Sequence, residues 1–241
     1  MRPPAHPHLQ VLNANACRSW HDYRLIALDM DSTLLRIETL DVLAAAAGLQ
    51  APMAAMTAAA MQGQVADYAS DLQQRVAMLR GLPASVLAHI DVLEHLSPGA
   101  AQLIYACRQH GLYCMVISSG FSYYAERIQR SLGMQAVRAN VLHIEDDTIT
   151  GALLPQMGMA FVDRQEKQNA LLQACEQLGI APAQAIAVGD GANDIAMLRA
   201  AGLGVAYHAK PVLRPYADVA IDHGGLEQLA AWLTAHDTPA A

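Results

Sequence analysis

The chain predicts an α/β fold built on a doubly wound, mostly parallel sheet, and three observations carry that reading. First, Leu25–Leu28, Leu112–Ile117 and Ala185–Val188 are short, wholly apolar runs, as strands covered on both faces require. Second, amphipathic segments of helical length separate them, and βα alternation favours parallel strands joined by right-handed crossovers. Third, each run stops on polar residues: Asp29 and Asp31, Ser118 to Gly120, and Asp190 to Asp194. The carboxyl ends of parallel strands share one edge, so residues far apart in sequence are expected to meet there.

Taken in order, residues 1–21 are rich in Pro and His without periodicity and read as a loosely held arm, with His6 and His8 in a solvated tail. No apolar core of a signal peptide or anchor is present in it. The first strand covers about 24–29. Helical patterning then runs from Glu38 to Leu96, broken at Gly48, Pro52, Gly63 and Gly81-Leu82-Pro83, with no strand inside it. Residues 38–96 therefore read as a small helical insert, and 22–37 with 97–235 as the core. Ala100–His110 is a helix stopped by Gly111, and Leu112–Ile117 a strand ending at Ser118-Ser119-Gly120. A helix follows over 121–132. Gln135–Asn140 suggests a short strand, and Val141–Ile144 with Thr148–Leu153 a hairpin around Asp146-Asp147. Asp163–Leu178 is helical with Gly179 as its stop. Ala185–Val188 is the third apolar strand, followed by a helix to about Ala201, strands near Gly204–Ala206 and 218–221, and a last helix.

Composition narrows the function. With 241 residues, 54% of them hydrophobic, the chain can bury a full core, as one large domain or a core with a subdomain. A formal charge of −7 without any Lys/Arg cluster argues against nucleic acid or an anionic membrane as partner. Cys17, Cys107, Cys114 and Cys175 show no CxxC spacing, and three of them lie in apolar helix or strand patterns typical of buried, reduced thiols, which suits the cytoplasm. The Ala-rich stretch 42–61 is interrupted by Gln50, Pro52 and Thr57, wrong for a membrane span.

An isolated Asp-x-Asp is often only a turn, but here three polar strand ends converge. Asp29 and Asp190, from different strands, suit a hard divalent cation such as Mg²⁺, which accepts few carboxylates and leaves room for phosphate. Lys167, near the start of its helix, adds positive charge. Ser118 and the backbone N–H groups at Ser119-Gly120 can hold phosphate oxygens at the N-terminus of the next helix. No Ser, Cys or His stands as nucleophile, so a carboxylate attacking phosphorus is the expected chemistry. Asp29 takes that role, and Asp31 protonates the leaving alcohol and then deprotonates water.

Asp29-Met30-Asp31-Ser32-Thr33, Ser118, Lys167 and Gly189-Asp190-Gly191-Ala192-Asn193-Asp194 resemble, in order, the four motifs of the haloacid dehalogenase superfamily. Within it they are similar to the branch that hydrolyses O-phosphoserine, over about residues 24–225 and including Ala206-Tyr207-His208-Ala209-Lys210-Pro211. The resemblance implies a Mg²⁺-dependent phosphatase with a Rossmann-like core, a helical cap at 38–96, and an aspartyl-phosphate intermediate in the last step of serine biosynthesis. It assigns metal binding to Asp29, the backbone carbonyl of Asp31 and Asp190, with Asp194 in support. It gives phosphate to Ser118, Gly120 and Lys167, with Asn193 contacting phosphate or substrate. Glu38 and Arg75 would read the ammonium and carboxylate of a small phosphorylated amino acid, with Met61 and Tyr68 lining the pocket. The chain departs from the family at Ser119, where Gly is usual, and at Tyr68 and Asp71, where Phe and Ser are usual. Asp71 is placed to pair with Arg75 at i,i+4. Other readings are a phosphatase or phosphotransferase for another small phosphomonoester such as homoserine phosphate, and a non-catalytic Mg²⁺- and phosphate-binding switch.

Overall fold

The computed structural model of the chain describes residues 9–13, 19–154 and 161–237. Its strands are Leu9–Val11 (β1), Leu25–Leu28 (β2), Tyr113–Phe121 (β3), Ala136–Glu145 (β4), Thr148–Leu154 (β5), Ala185–Gly189 (β6), Leu203–Tyr207 (β7) and Val219–Ile221 (β8). The helices are Thr39–Ala45 (α1), Gln50–Met61 (α2), Tyr68–Ala77 (α3), Ala100–Gln109 (α4), Ser122–Leu132 (α5), Arg164–Leu178 (α6), Ile195–Ala200 (α7) and Glu227–Asp237 (α8).

All strands join one sheet in the order β1-β8-β7-β6-β2-β3-β4-β5. From β8 to β4 every pairing is parallel, and only the edge pairs β1/β8 and β4/β5 are antiparallel. The chain leaves β2 in one direction through β3 and β4, then returns to its other side with β6. That reversal makes the carboxyl ends of β2 and β6 a topological switch point, where open α/β sheets bind ligands.

Side-chain alternation along β2 explains why its whole run is apolar. Ile26 and Leu28 enter a core shared with α4, α5 and α8, whereas Leu25 and Ala27 enter a second one with α6 and α7. Helices therefore cover both faces, the doubly wound, Rossmann-like arrangement that the sequence predicts. No helix of the described residues is long and apolar enough to cross a membrane. Cys107, Cys114 and Cys175 are buried and free; Cys17, like His6 and His8, lies outside the described residues.

Four local expectations need correction. The segment read as a loose arm contributes β1, whose Leu9 to Val11 pair with Ile221 to Val219. Just after it, Ser19 caps a short turn over Trp20–Asp22, and Trp20 is 1% exposed, stacked on His110 at 4.5 Å with its Nε1 donating to Thr234 Oγ1 at 3.1 Å. β3 does not end at Ser118: it bulges and resumes at Phe121, Ile117 pairing with Arg138 and Phe121 with Asn140. The short strand at 135–140 and the first hairpin arm are a single strand, β4. Pro52 breaks nothing, because it sits in the first turn of α2, where an N–H would have no helical partner.

Because Trp20 fills a core position and joins this segment to α4 and α8, Trp20→Ala is expected to destabilise the protein by about 3–5 kcal/mol. Urea denaturation measures this, and an unchanged midpoint would mean the segment is not docked in solution.

Candidate active site

Two carboxylates leave neighbouring strands side by side. β2 and β6 pair Leu28 with Val188, the Asp29 N–H donates to the Val188 carbonyl at 3.0 Å, and Asp190 follows directly on β6. Past Asp29 the chain folds into a tight turn through Ser32, whose φ of 56° is left-handed, closed by Leu34 N–H to Asp29 and Leu35 N–H to Met30. This turn brings Asp31 into the same cleft as Asp29. Asp31 Oδ1 accepts from the Thr39 N–H at 2.9 Å, at the start of α1, and Ser32 Oγ donates to Glu38 Oε1 at 2.6 Å.

Lys167 is fully buried, and its ammonium donates to Asp29 Oδ1 at 2.5 Å and Asp194 Oδ1 at 2.7 Å. Asp163 caps α6 by accepting from the Glu166 N–H at 2.8 Å, which starts the helix one turn before Lys167. Asp194 Oδ2 accepts from the N–H groups of Asp190 and Gly191 at 3.1 and 3.2 Å, so both its oxygens are engaged in shaping the loop. Burial opposes the charge on Lys167, but the carboxylates of Asp194 and Asp29 outweigh it and raise its pKa. Burial also pushes Asp29 well above the usual carboxylate range, with Lys167 opposing. Asp190 is raised by burial and then by the charges of Glu38, Asp194 and Asp29. Asp31 is pushed up to about 7, by burial first and Glu38 second.

These carboxylates fit a divalent cation. Ligand atoms of Asp29, Asp190 and Asp194 lie within 4.8 Å of one another, and both oxygens of buried Asp190 lack a hydrogen-bond partner. The nearest side-chain cation to Asp190, Lys210 Nζ, stands 3.8 Å from its Oδ2. Buried carboxylates with one ammonium among them are poorly balanced, and a hard dication would relieve both the repulsion and the unmet lone pairs. The side-chain group contains Asp194, which the resemblance placed in support, and not the carboxylate of Asp31.

The cleft beside this group is lined by Asp29, Asp31, Ser118, Ser119, Gly120 and Asn193 from the sheet edge, and by Glu38, Leu40, Met61, Tyr68, Leu72 and Arg75 from the helical segment. Every side chain expected to meet substrate is thus gathered there, except Lys167, which lies beneath Asp29. Gly120 is required by close approach: a Cβ on it would stand 2.6 Å from Asp31 Oδ2. Its N–H donates to Ser118 Oγ at 2.9 Å. Arg75 is buried, pairs with Asp71 through Nε at 2.8 Å, and lies over the Tyr68 ring at 5.7 Å.

Sequence reasoning missed Leu40, Leu72, Asn140 and Arg164. Leu40 and Leu72 are apolar helix residues, indistinguishable by pattern from core. Asn140 Nδ2 donates to the carbonyls of Ser119 and Val162 at 2.9 and 3.2 Å, while its Oδ1 accepts from the Val162 N–H at 2.8 Å. It thereby ties the bulge of β3 to the chain entering α6. A polar residue amid a strand pattern was the available signal. Arg164 stands over Tyr68 at 5.2 Å and donates to the Ala60 carbonyl at 3.4 Å.

Residues 26–199 match the haloacid dehalogenase-like hydrolases as a family. A protein of Polaromonas sp. named phosphoserine phosphatase is 48% identical over 92% of this chain and 95% of its own, and one of Albidiferax ferrireducens with the same name is 46% identical over 86% and 88%. Among solved structures, a substrate-bound phosphoserine phosphatase complex superposes with a TM-score of 0.79 at 31% identity, over 87% of this chain and 98% of that one. A carboxylate–ammonium–carboxylate core at the switch point and a family match spanning most of the chain lead to one conclusion: the chain belongs to the haloacid dehalogenase-like hydrolase family.

Proposed function

We propose that the chain hydrolyses O-phosphoserine to serine and phosphate through a phosphorylated Asp29, with Mg²⁺ as its metal. The observation that carries this reading is the buried Asp29–Lys167–Asp194 chain beside an unpartnered Asp190, at the floor of a cleft whose opposite wall holds Arg75 and Glu38. The names of similar proteins support the same reading: relatives and solved neighbours are called phosphoserine phosphatases, one of them described as a phospho-aspartyl intermediate analogue.

Lys167 engages Asp29 Oδ1, which leaves Oδ2 to attack phosphorus. As the Asp29–phosphorus bond forms and the ester bond breaks, Asp31 gives its proton to the departing serine oxygen. Water then attacks phosphorus, Asp31 takes its proton, and inorganic phosphate leaves with Asp29 restored. Asp29, Asp190 and the Asp31 carbonyl would hold Mg²⁺, with Asp194 keeping the loop in shape. When bound, the ion supplies charge neutralisation for the phosphoryl oxygens. Ser118, the N–H groups of Ser119 and Gly120, and Lys167 hold phosphate, and Asn193 orients it. Residues 38–96 act as the cap, in which Arg75 binds the substrate carboxylate, Glu38 its ammonium, and Met61 and Tyr68 the space between. A cytoplasmic place belongs to the same proposal, supported by three buried free thiols.

A panel of phosphomonoesters with and without Mg²⁺ tests the reaction. O-phosphoserine is expected to be the best substrate and EDTA to abolish turnover, whereas homoserine phosphate formed without net phosphate release would replace hydrolysis by transfer. Asp29→Asn is expected to lower kcat by roughly 10⁴-fold or more and to abolish phosphoenzyme. Arg75→Ala should lower the preference for phosphoserine over phosphoethanolamine, which lacks the carboxylate, by about 10²-fold, since a hydrogen-bonded charge pair is lost; an unchanged ratio would make Arg75 structural.

The raised pKa of Asp31 has a stability consequence in metal-free protein. The folded state holds the proton more tightly than the unfolded chain, so stability is expected to fall as pH rises from about 4 to about 7. Asp31→Asn should flatten that limb in urea titrations with EDTA, and an unaltered slope would show that Asp31 is not its source.

A further inference from the structure

We propose that the side-chain hydroxyls of Ser119 and Tyr68 complete, with Arg75, a three-donor subsite for the substrate carboxylate. This rests on the phosphoserine reading above and extends it to groups that reading uses otherwise: Ser119 for its backbone N–H and Tyr68 for its ring.

The buried polar atoms of the cleft point to this subsite. Ser119 is 7% exposed and its Oγ has no hydrogen-bond partner. Its position is not loose, because Asn140 holds its carbonyl at 2.9 Å and Ser118 Oγ beside it is already engaged by the Gly120 N–H. A buried hydroxyl left unpaired on the wall of a cleft calls for a partner that arrives later. Tyr68 is buried across the same cleft, which Ser119 and Arg75 also line, and the Arg75 guanidinium stands 5.7 Å from its ring centre. Arg75 engages Asp71 through Nε alone, and its Nη2 is likewise buried with no partner. Three donors from the β3 bulge and from α3 therefore face one space, two of them with unfilled hydrogen-bonding capacity.

Charge and valence select the occupant. Asp71 balances Arg75, while the second guanidinium at Tyr68, that of Arg164, has no carboxylate within ion-pair distance among the described residues. Two guanidiniums therefore flank the ring, with Asp71 the one carboxylate within ion-pair distance of either among the described residues. A carboxylate brings one negative charge and about four lone-pair sites, enough for an Arg N–H and two hydroxyls together. An ammonium or an alcohol of the substrate offers the donors too little. Phosphate is held lower in the cleft, against Asp29, Ser118 and Lys167.

The test uses the full chain with Mg²⁺ and the variants Ser119→Ala, Ser119→Gly and Tyr68→Phe, each assayed on O-phosphoserine and O-phosphoethanolamine and for inhibition by inorganic phosphate. Each variant is expected to raise KM for phosphoserine about tenfold with much less change in kcat, as loss of a hydrogen bond to a charged group predicts. The preference over phosphoethanolamine should fall by a similar factor, and inorganic phosphate inhibition should move least. Ser119→Ala should also melt no lower than the parent, since it removes an unsatisfied buried hydroxyl. Should one variant fold poorly, the other two carry the measurement. If phosphate inhibition weakens as much as phosphoserine KM, the hydroxyls serve phosphate and the subsite is wrong. If the parent prefers phosphoserine but the variants keep its selectivity, the subsite alone fails. If the parent itself prefers an ester without a carboxylate, the phosphoserine reading fails and takes the subsite with it.

Discussion

A fully buried ammonium constrains everything around it. Lys167 is tolerated at the centre of the molecule only because two carboxylates meet it at hydrogen-bond distance, one from the end of β2 and one from the loop after β6. Removing either would strand a charge in a low-dielectric interior, at several kcal/mol. The helix that carries Lys167 must therefore start at a fixed height above the sheet, which the Asp163 cap and the Asn140 clamp together provide. Chemistry and fold stability share the same atoms here.

The sheet edge is also shaped by what is missing from it. At Gly120 the space of a Cβ belongs to the Asp31 carboxylate, and at Gly189 it belongs to Asp194, whose Cγ would stand 2.4 Å away. Both glycines are needed for proximity rather than for an unusual dihedral angle, since neither has a positive φ. At Gly189 this lets Asp194 lie against backbone and accept from the N–H groups of Asp190 and Gly191.

The parts legible in the sequence were those with strong local causes. Apolar runs ending in polar residues located β2, β3 and β6, and the mostly parallel, doubly wound sheet followed from their alternation with helices. What escaped depended on tertiary partners. β1 has only three residues and no alternating pattern, so it is a strand only because β8 offers an unpaired edge. Trp20 looked like tail until α4 and α8 surrounded it. The bulge in β3 requires β4 as reference, since its register shift exists only between two strands. Asn140 and Arg164 act by bridging segments distant in sequence, a role that no spacing encodes. Leu40 and Leu72 line the cleft with side chains chosen, as far as pattern tells, for burial.

Met61 closes the account from the helical side. A Cβ on Gly191 would meet its sulfur at 2.7 Å, so α2 ends directly on the loop that carries Asp190 and Asn193. Thioether and loop occupy one continuous surface. Any separation of the helical segment from the sheet would uncover that loop to water at the same moment as the substrate, which couples entry of the substrate to hydration of the carboxylates that act on it. It also ties the two positions together: a side chain at Gly191 would have to displace both the Met61 thioether and the Asn193 amide, each 2.7 Å from where its Cβ would stand.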